Sequence, residues 1–378
     1  MSEGLRGKVA IAGVGETDYS RNSGRSELTL TLQAIHAALD DAGLTAQDVD
    51  GLMRWQVDTS AEAEVAASLG VKELAFFGDI TQAGNVGASL VATASAAIAS
   101  GLAECIVIYR GMNGRSGRRY GRGEVTGRGG AGGSQFTEPF GVLVPQHGLA
   151  MSTRRRMYET GVTSLQFGAT AVAIRQHANR NPRAFFYKTP LTLEDHQNSR
   201  WVVEPLHLFD CCLETDGGGA LVLVSAERAR GLKKPPAYVR AATMNGYSKD
   251  RHYGDTAATS TGPRLFKMAG MAPSDVDVVQ IYDHFCPYVI FAMEDYGFLK
   301  RGAGGEFVEA GEISWPNGSL PVNTSGGHLS EAYMQGMNQL IEGVRQVRGE
   351  STSQVADVDV SFVDTGVGTG AVILTREP

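Results

Sequence analysis

The 378 residues, 42% hydrophobic and 20% charged, describe a globular chain long enough for one large unit or two fused domains, not a disordered one. A formal charge of -7 argues against nucleic acid as a partner, and 48 glycines point to many tight turns and close backbone approaches. The N-terminal MSEGLRGKVAIAG shows no export signal, so the expected compartment is the cytoplasm.

Taken in chain order, Lys8–Val14 (KVAIAGV) reads as a strand leading into a polar loop, and Gly51–Trp55 as a second strand. Ala83–Val86 forms a glycine-bearing turn before an Ala-rich helix running to about Ser100, and Cys105–Tyr109 is the next strand. The nearly uncharged stretch Gly87–Cys105 is dominated by Ala and Ser, which marks a helix buried in protein rather than a membrane span. From about 110 to 206 lies an insertion. It opens with the glycine- and arginine-rich stretch Arg110–Gly133, and Leu149–Asn179 within it reads as helical. Arg115, Arg118, Arg119 and Arg122 in that stretch either sit on a solvated loop or supply cationic contacts to a phosphate-bearing ligand or an acidic partner chain. Strand Gly219–Val224 follows.

The second part repeats the first. Ala42–Asp50 (AGLTAQDVD) and Ala269–Asp277 (AGMAPSDVD) share alanine, glycine and the DVD triplet at matching positions. Around the second copy lie strands at Ala237–Met244, Val278–Tyr282 and Val358–Val363. Asn323–Gly327 (NTSGG) precedes a helix expected to run through about Gln346. Strand–helix–strand alternation with glycine turns predicts a layered α/β fold with largely parallel sheets, built as two similar halves. The halves are placed at 1–230, including the insertion, and 231–378. The four cysteines, Cys105, Cys211, Cys212 and Cys286, show no CxxC spacing and read as buried reduced thiols.

Several segments, in order, resemble the thiolase superfamily in its sterol-carrier and lipid-transfer-protein branch. They are IAGVGETDYS, ASGLAECIVIYRG, PLHLFDCCLETDGGGALVL, YDHF at Tyr282–Phe285, NTSGGHLSEAY at Asn323–Tyr333, and the terminal TGVGTGAVIL. The resemblance covers essentially the whole chain. It implies the thiolase fold, two fused βαβαβαββ halves in a five-layered α/β/α/β/α arrangement that usually dimerises.

Matched position by position, the resemblance places Gly84 where a thiolase carries its nucleophilic cysteine, so no acyl-enzyme forms there. Tyr333 stands at the Gly-His-Pro histidine, Asp364 at the second cysteine, and Tyr282 at the Asn or His preceding the acidic-x-Phe element. Thiolysis through a cysteine thiolate is thereby excluded. Backbone N–H groups at Gly84 and Gly366 remain suited to a developing enolate charge. Tyr282 and Tyr333 are the expected acid/base pair, and His284 is a proton relay or a hydrogen-bond donor to a tyrosine. Asp283 is expected to orient loops. Asp364, His328 and Tyr247 are candidates for the substrate surface, and Cys286 for filling space.

This pattern is similar to the lipid-transfer-protein aldolases of bacterial steroid side-chain degradation. The resemblance implies metal-independent retro-aldol cleavage of a 17-hydroxy steroid-20-carboxyl-CoA to a 17-ketosteroid and propionyl-CoA. CoA then enters only as part of the substrate. The resemblance also implies a partner combining an OB-fold with a zinc ribbon, which alone holds zinc, around a homodimer core in an α2β2 heterotetramer. The alternative is a non-catalytic lipid or acyl-CoA carrier.

Overall fold

The structure, a computed structural model, describes residues 6–81, 86–117, 119, 136–244 and 249–378. Gly84 and Tyr247, and with them Arg118 and Arg122, lie outside the described residues.

The first half runs β1 (Val9–Glu16), α1 (Glu27–Ala42), β2 (Gly51–Trp55), α2 (Glu62–Leu69), β3 (Phe76–Ile80), α3 (Gly87–Ala99) and β4 (Cys105–Asn113). An excursion follows, with α4 (Pro145–Thr160), α5 (Ser164–Ala178), α6 (Leu193–Asn198) and the ribbon β5 (Trp201–Val203)–β6 (Leu206–His207). The chain then returns to the sheet as β7 (Asp216–Ser225). The first half ends on α7 (Ala226–Ala229), and the second comprises β8 (Ala237–Ala242), α8 (Ala258–Ala269), β9 (Val278–Gln280), α9 (Cys286–Asp295), α10 (Gly304–Glu309), α11 (Met337–Arg348), β10 (Val360–Asp364) and β11 (Ala371–Thr375).

The strand order is β3-β2-β4-β7-β1-β8-β11-β10-β9. Each half pairs its strands alike. β2 lies parallel to β3 and β4, β4 antiparallel to β7, and β7 antiparallel to β1. In the other half β9 lies parallel to β10, β10 antiparallel to β11, and β11 antiparallel to β8. Val279 even makes a parallel bridge to Val322 where β2 has β3. The halves meet where Ala10 and Ile11 of β1 pair with Tyr238 and Ala237 of β8. The sheet is therefore mixed rather than largely parallel. Within each half β2 and β9 run parallel to their neighbours, whereas β7, reached through the α4–α6 excursion, and β11, reached directly, run against theirs.

The DVD repeat has a structural cause. Asp50 accepts the backbone N–H groups of Glu104 and Cys105 at the start of β4. Asp277 does the same for Asp359 and Val360 at the start of β10. Each carboxylate satisfies amides that the first strand residues leave unpaired.

Alternation along the strands builds the layers. Ile106 and Ile108 face a central core with α3 and α11, while Cys105, Val107 and Tyr109 face an outer core with α1. In the second half Val363, Val372 and Leu374 join the same central core. Phe362, Ala371 and Ile373 face an outer core with α8 and α9. The result is helix, sheet, paired central helices, sheet, helix. α1 supplies its face through Leu30, Ala34, Ala38 and Ala42, starts on a Ser26 cap and stops at Gly43, φ 74°.

Two helices differ from expectation. Leu149–Asn179 is two helices, broken at Gly161, whose φ of 77° ends α4. The helix expected directly after Asn323–Gly327 begins only at Met337. Between them stand a π-helical turn, Gly327–Glu331, and an extended break that carries Tyr333.

Candidate active site

The break before α11 positions the chemistry. Gly326 (φ 112°), Gly327 (φ 51°) and Gly336 (φ 89°) take left-handed conformations that L side chains avoid. At Gly327 a Cβ would lie 2.3 Å from the Asp283 carboxylate. Close approach is needed because Asp283 accepts the N–H groups of His328 (2.7 Å) and Leu329 (3.2 Å) and the Gln339 side-chain amide (2.9 Å). Burial pushes the Asp283 carboxyl up to about 6 against these donors. The loop-orienting function expected of Asp283 thus has a geometric basis.

Behind the turn, Glu331 accepts from Asn181 (2.8 Å), Ser325 (2.7 Å) and Asn338 (3.1 Å). Burial, followed by the nearby Glu16 charge, pushes its carboxyl up to about 8. A carboxyl raised from its ordinary range binds its proton more tightly in the folded chain than in the unfolded one. Its stabilising contribution is therefore complete at acid pH and is lost as pH rises towards and through about 8. Glu331→Gln is expected to flatten the decline in melting temperature between pH 5 and pH 8.5. A decline as steep as in the unaltered protein contradicts this assignment.

Held this way, Tyr333 meets Tyr282, from the segment after β9, with their hydroxyl oxygens 2.9 Å apart. Tyr282 is 2% exposed. Burial first, then Tyr333, holds its phenol well above the ordinary range, so it stays protonated. The Tyr333 N–H donates to Thr215 Oγ1 at 3.1 Å, tying the break to the residue just before β7. Gln335, φ 53°, accepts from Arg110 Nε at 2.9 Å, and Arg110 is itself paired with Asp58.

His284 does not donate to a tyrosine hydroxyl. Its Nδ1–H donates to the Tyr282 carbonyl at 3.2 Å, leaving Nε2 as an acceptor with no partner among the described residues. Burial lowers the imidazole to about 4, which keeps it neutral. His328 packs edge-on between the two phenols, with ring centroids 4.5 Å from Tyr282 and 4.9 Å from Tyr333. Its Nε2 accepts from the Gly336 N–H at 3.1 Å. It holds the rings apart and anchors the break.

Asp364 lies behind Tyr282, and its Oδ1 accepts from Tyr296 (3.1 Å) and from the N–H groups of Gly366 (3.1 Å) and Gly368 (3.0 Å). Burial pushes this carboxyl up to about 6. The Gly366 N–H is therefore engaged by Asp364 and is not an open donor for a developing oxyanion, contrary to expectation. The side chain standing at the old cysteine position accounts for the difference. Cys286 is buried, with its Sγ turned to the Phe209 carbonyl, and burial holds its thiol well above the ordinary range. A thiol of that kind is inert.

A cavity of about 590 Å³ opens onto this cluster, with His284 and Tyr333 in its wall beside Cys212, Phe186, Phe209 and Arg175. Arg115 and Arg119 of the arginine-rich stretch line it too, both facing Glu214. Arg175, Thr215, Asn181 and Arg110 were not singled out in the sequence, being polar residues at ordinary helix, strand and loop positions. Among the described residues no cluster of three or more His, Cys, Asp or Glu is placed to hold a metal ion. No helix among them is long and apolar enough to cross a membrane.

Comparison with known proteins gives the family. Residues 240–375 match the family described as thiolase C-terminal domain-like. The chain is 46% identical to a steroid side-chain-cleaving aldolase of Thermomonospora curvata, over 98% of both chains. It is 44% identical to a 17-hydroxy-3-oxo-4-pregnene-20-carboxyl-CoA lyase of Mycobacterium tuberculosis, over 98% of this chain and all of that one (100%). A solved Ltp2-ChsH2(DUF35) aldolase superposes with a TM-score of 0.91 at 45% identity, covering 98% of each chain. Human mitochondrial 3-ketoacyl-CoA thiolase, at 16% identity and a TM-score of 0.70, shares the fold. The chain adopts the thiolase fold and belongs to the thiolase superfamily, among its steroid side-chain-cleaving aldolases.

Proposed function

We propose that this chain cleaves a β-hydroxyacyl-CoA by a retro-aldol reaction. The substrate is a 17-hydroxy steroid-20-carboxyl-CoA, and the products are a 17-ketosteroid and propionyl-CoA. The observation that carries this reading is the hydrogen-bonded phenol pair beside the His284 imidazole, whose Nε2 has no partner among the described residues, with Tyr333 and His284 in one cavity wall. An acceptor and a donor on the same wall are what the reaction asks of its catalyst.

His284 Nε2 accepts the proton of the 17-hydroxyl. The C17–C20 bond breaks as the oxygen forms a ketone, and its electrons pass into the thioester as an enolate. Tyr333, the cavity-facing phenol, protonates the enolate carbon, and the Tyr282 hydroxyl supports the phenolate left behind. The proton on His284 then returns to Tyr333 through solvent, which closes the cycle. No covalent enzyme intermediate is formed, in keeping with the inert Cys286 thiol, and CoA enters only as part of the substrate.

The similarity to an Ltp2-ChsH2(DUF35) aldolase supports a second subunit. We assign to it the OB-fold and zinc ribbon, with zinc held there and not here, in an α2β2 assembly around a homodimer of this chain in the cytoplasm. The test is a product assay with the CoA thioester of a 17-hydroxy steroid side-chain acid, with and without the co-expressed partner. Equal amounts of 17-ketone and propionyl-CoA are expected, dependent on the partner. Tight binding without products under either condition replaces the aldolase by a carrier.

A further inference from the structure

Of the three arginines buried among the described residues, two are paired with carboxylates. Arg110 faces Asp58, and Arg156 faces Asp255, Glu294 and Asp295. Arg175, on α5, is 4% exposed and has no carboxylate partner among the described residues. Its Nε donates to Ser330 Oγ at 2.8 Å and Nη1 to the Thr189 carbonyl at 3.4 Å. The guanidinium carbon stands 3.6 Å over the Phe186 ring and 6.0 Å from that of Phe209. A guanidinium has five N–H donors, so most of this fork is left without a protein acceptor. An uncompensated cation held out of water is costly unless something in the working state neutralises it.

The location says what that is. Arg175 lines the same cavity as His284 and Tyr333, and Arg21, Arg115, Arg119 and Arg200 line it too. Glu214 is the single carboxylate among the described lining residues. A cavity walled by five arginines, in a chain of net charge -7, concentrates positive potential where a ligand enters. Arg175 is also wired to the catalytic break. Ser330 stands three residues before Tyr333, and its carbonyl accepts from the Phe186 N–H at 3.2 Å. The aromatic face, the cation and the turn carrying Tyr333 therefore form one bonded unit.

We propose that Arg175 binds an anionic oxygen of the acyl-CoA ligand and, through Ser330, sets the turn that carries Tyr333. This rests on the proposed reading that the ligand is a CoA thioester. Two sources supply such an oxygen, a CoA phosphate or the thioester oxygen as it becomes an enolate. Arg175 is a binding and positioning residue in either case.

The test uses the full chain with its partner and the variants Arg175→Met and Arg175→Lys. The ligand-free Arg175→Met protein is expected to melt at or above the temperature of the unaltered one, because a buried unpaired charge has been removed. If the oxygen is a phosphate, its affinity for free CoA falls at least tenfold, and kcat/KM falls further on the CoA thioester than on the N-acetylcysteamine thioester of the same acid. If it is the enolate oxygen, CoA affinity holds and kcat falls at least tenfold on both thioesters. Arg175→Lys keeps part of the lost function in either case. CoA affinity and kcat within twofold of the unaltered protein overturn the proposal. So does a lowered melting temperature with function lost equally in both variants, which marks a structural residue. CoA binding that depends on Arg175 in a protein that cleaves nothing leaves this inference standing and removes the proposed reaction.

Discussion

Tyr333→Phe lowers turnover by about 100- to 10,000-fold, the usual contribution of a positioned proton donor. Tyr333 is the phenol that reaches the cavity, and no other described hydroxyl is shown bonded to Tyr282 there. Phenylalanine keeps the ring against His328 and removes only the proton, so substrate affinity and melting temperature are expected to change little. Tyr282→Phe acts one bond further back. It removes a hydrogen bond to a developing charge, worth about 1.5–3 kcal/mol, or about 10- to 100-fold in rate. The ordering matters more than either value. Single-turnover cleavage of the steroid thioester by the two variants measures it, and a larger loss in Tyr282→Phe would reverse the roles given to the two phenols.

Asp283→Ala is expected to cost about 3–5 kcal/mol, a large part of the roughly 5–15 kcal/mol that holds a typical domain together. Its carboxylate accepts two backbone N–H groups and one side-chain amide, all buried. Alanine leaves those buried donors without an acceptor. Asp283→Asn, which retains one acceptor oxygen but turns an amine towards a donor, falls between. Denaturant midpoints, compared at constant slope, give the values. A loss below about 1 kcal/mol from Asp283→Ala would show that water takes over the orphaned donors. Because the turn it holds leads to Tyr333, activity is expected to fall with stability.

Much of the fold was legible because the sequence states it twice. The paired AG…DVD segments mark matching strand starts, and the aspartates prove to be the residues that cap β4 and β10. Strand direction was less legible, since a helical crossover and a direct return both leave apolar runs of similar length. The late start of α11 was hidden for a different reason. NTSGGHLSEAYMQG has the small and polar residues of a helix start, but its left-handed glycines and Gln335 interrupt the hydrogen-bond ladder. That interruption is what turns Tyr333 to the cavity, so the helix rule fails at the functional point.

The site divides similarly. Tyr282, Tyr333 and His284 could be named from the motifs around them, and the structure brings these three together. The hydrogen bonds that give each its state could not. The tautomer of His284 depends on a backbone carbonyl, and the engagement of Gly366 depends on a carboxylate two residues away. Arg175 is silent in sequence, because an arginine near the end of a helix ordinarily faces water.

Cleavage in deuterium oxide, with no free CoA added, tests the central claim most directly. Retro-aldol chemistry delivers one solvent-exchangeable proton to the carbon released from C17. The expected result is propionyl-CoA carrying one deuterium at its α-carbon, formed in equal amount with the 17-ketosteroid. Product that appears only when free CoA is supplied, or that carries no deuterium at that carbon, would contradict it.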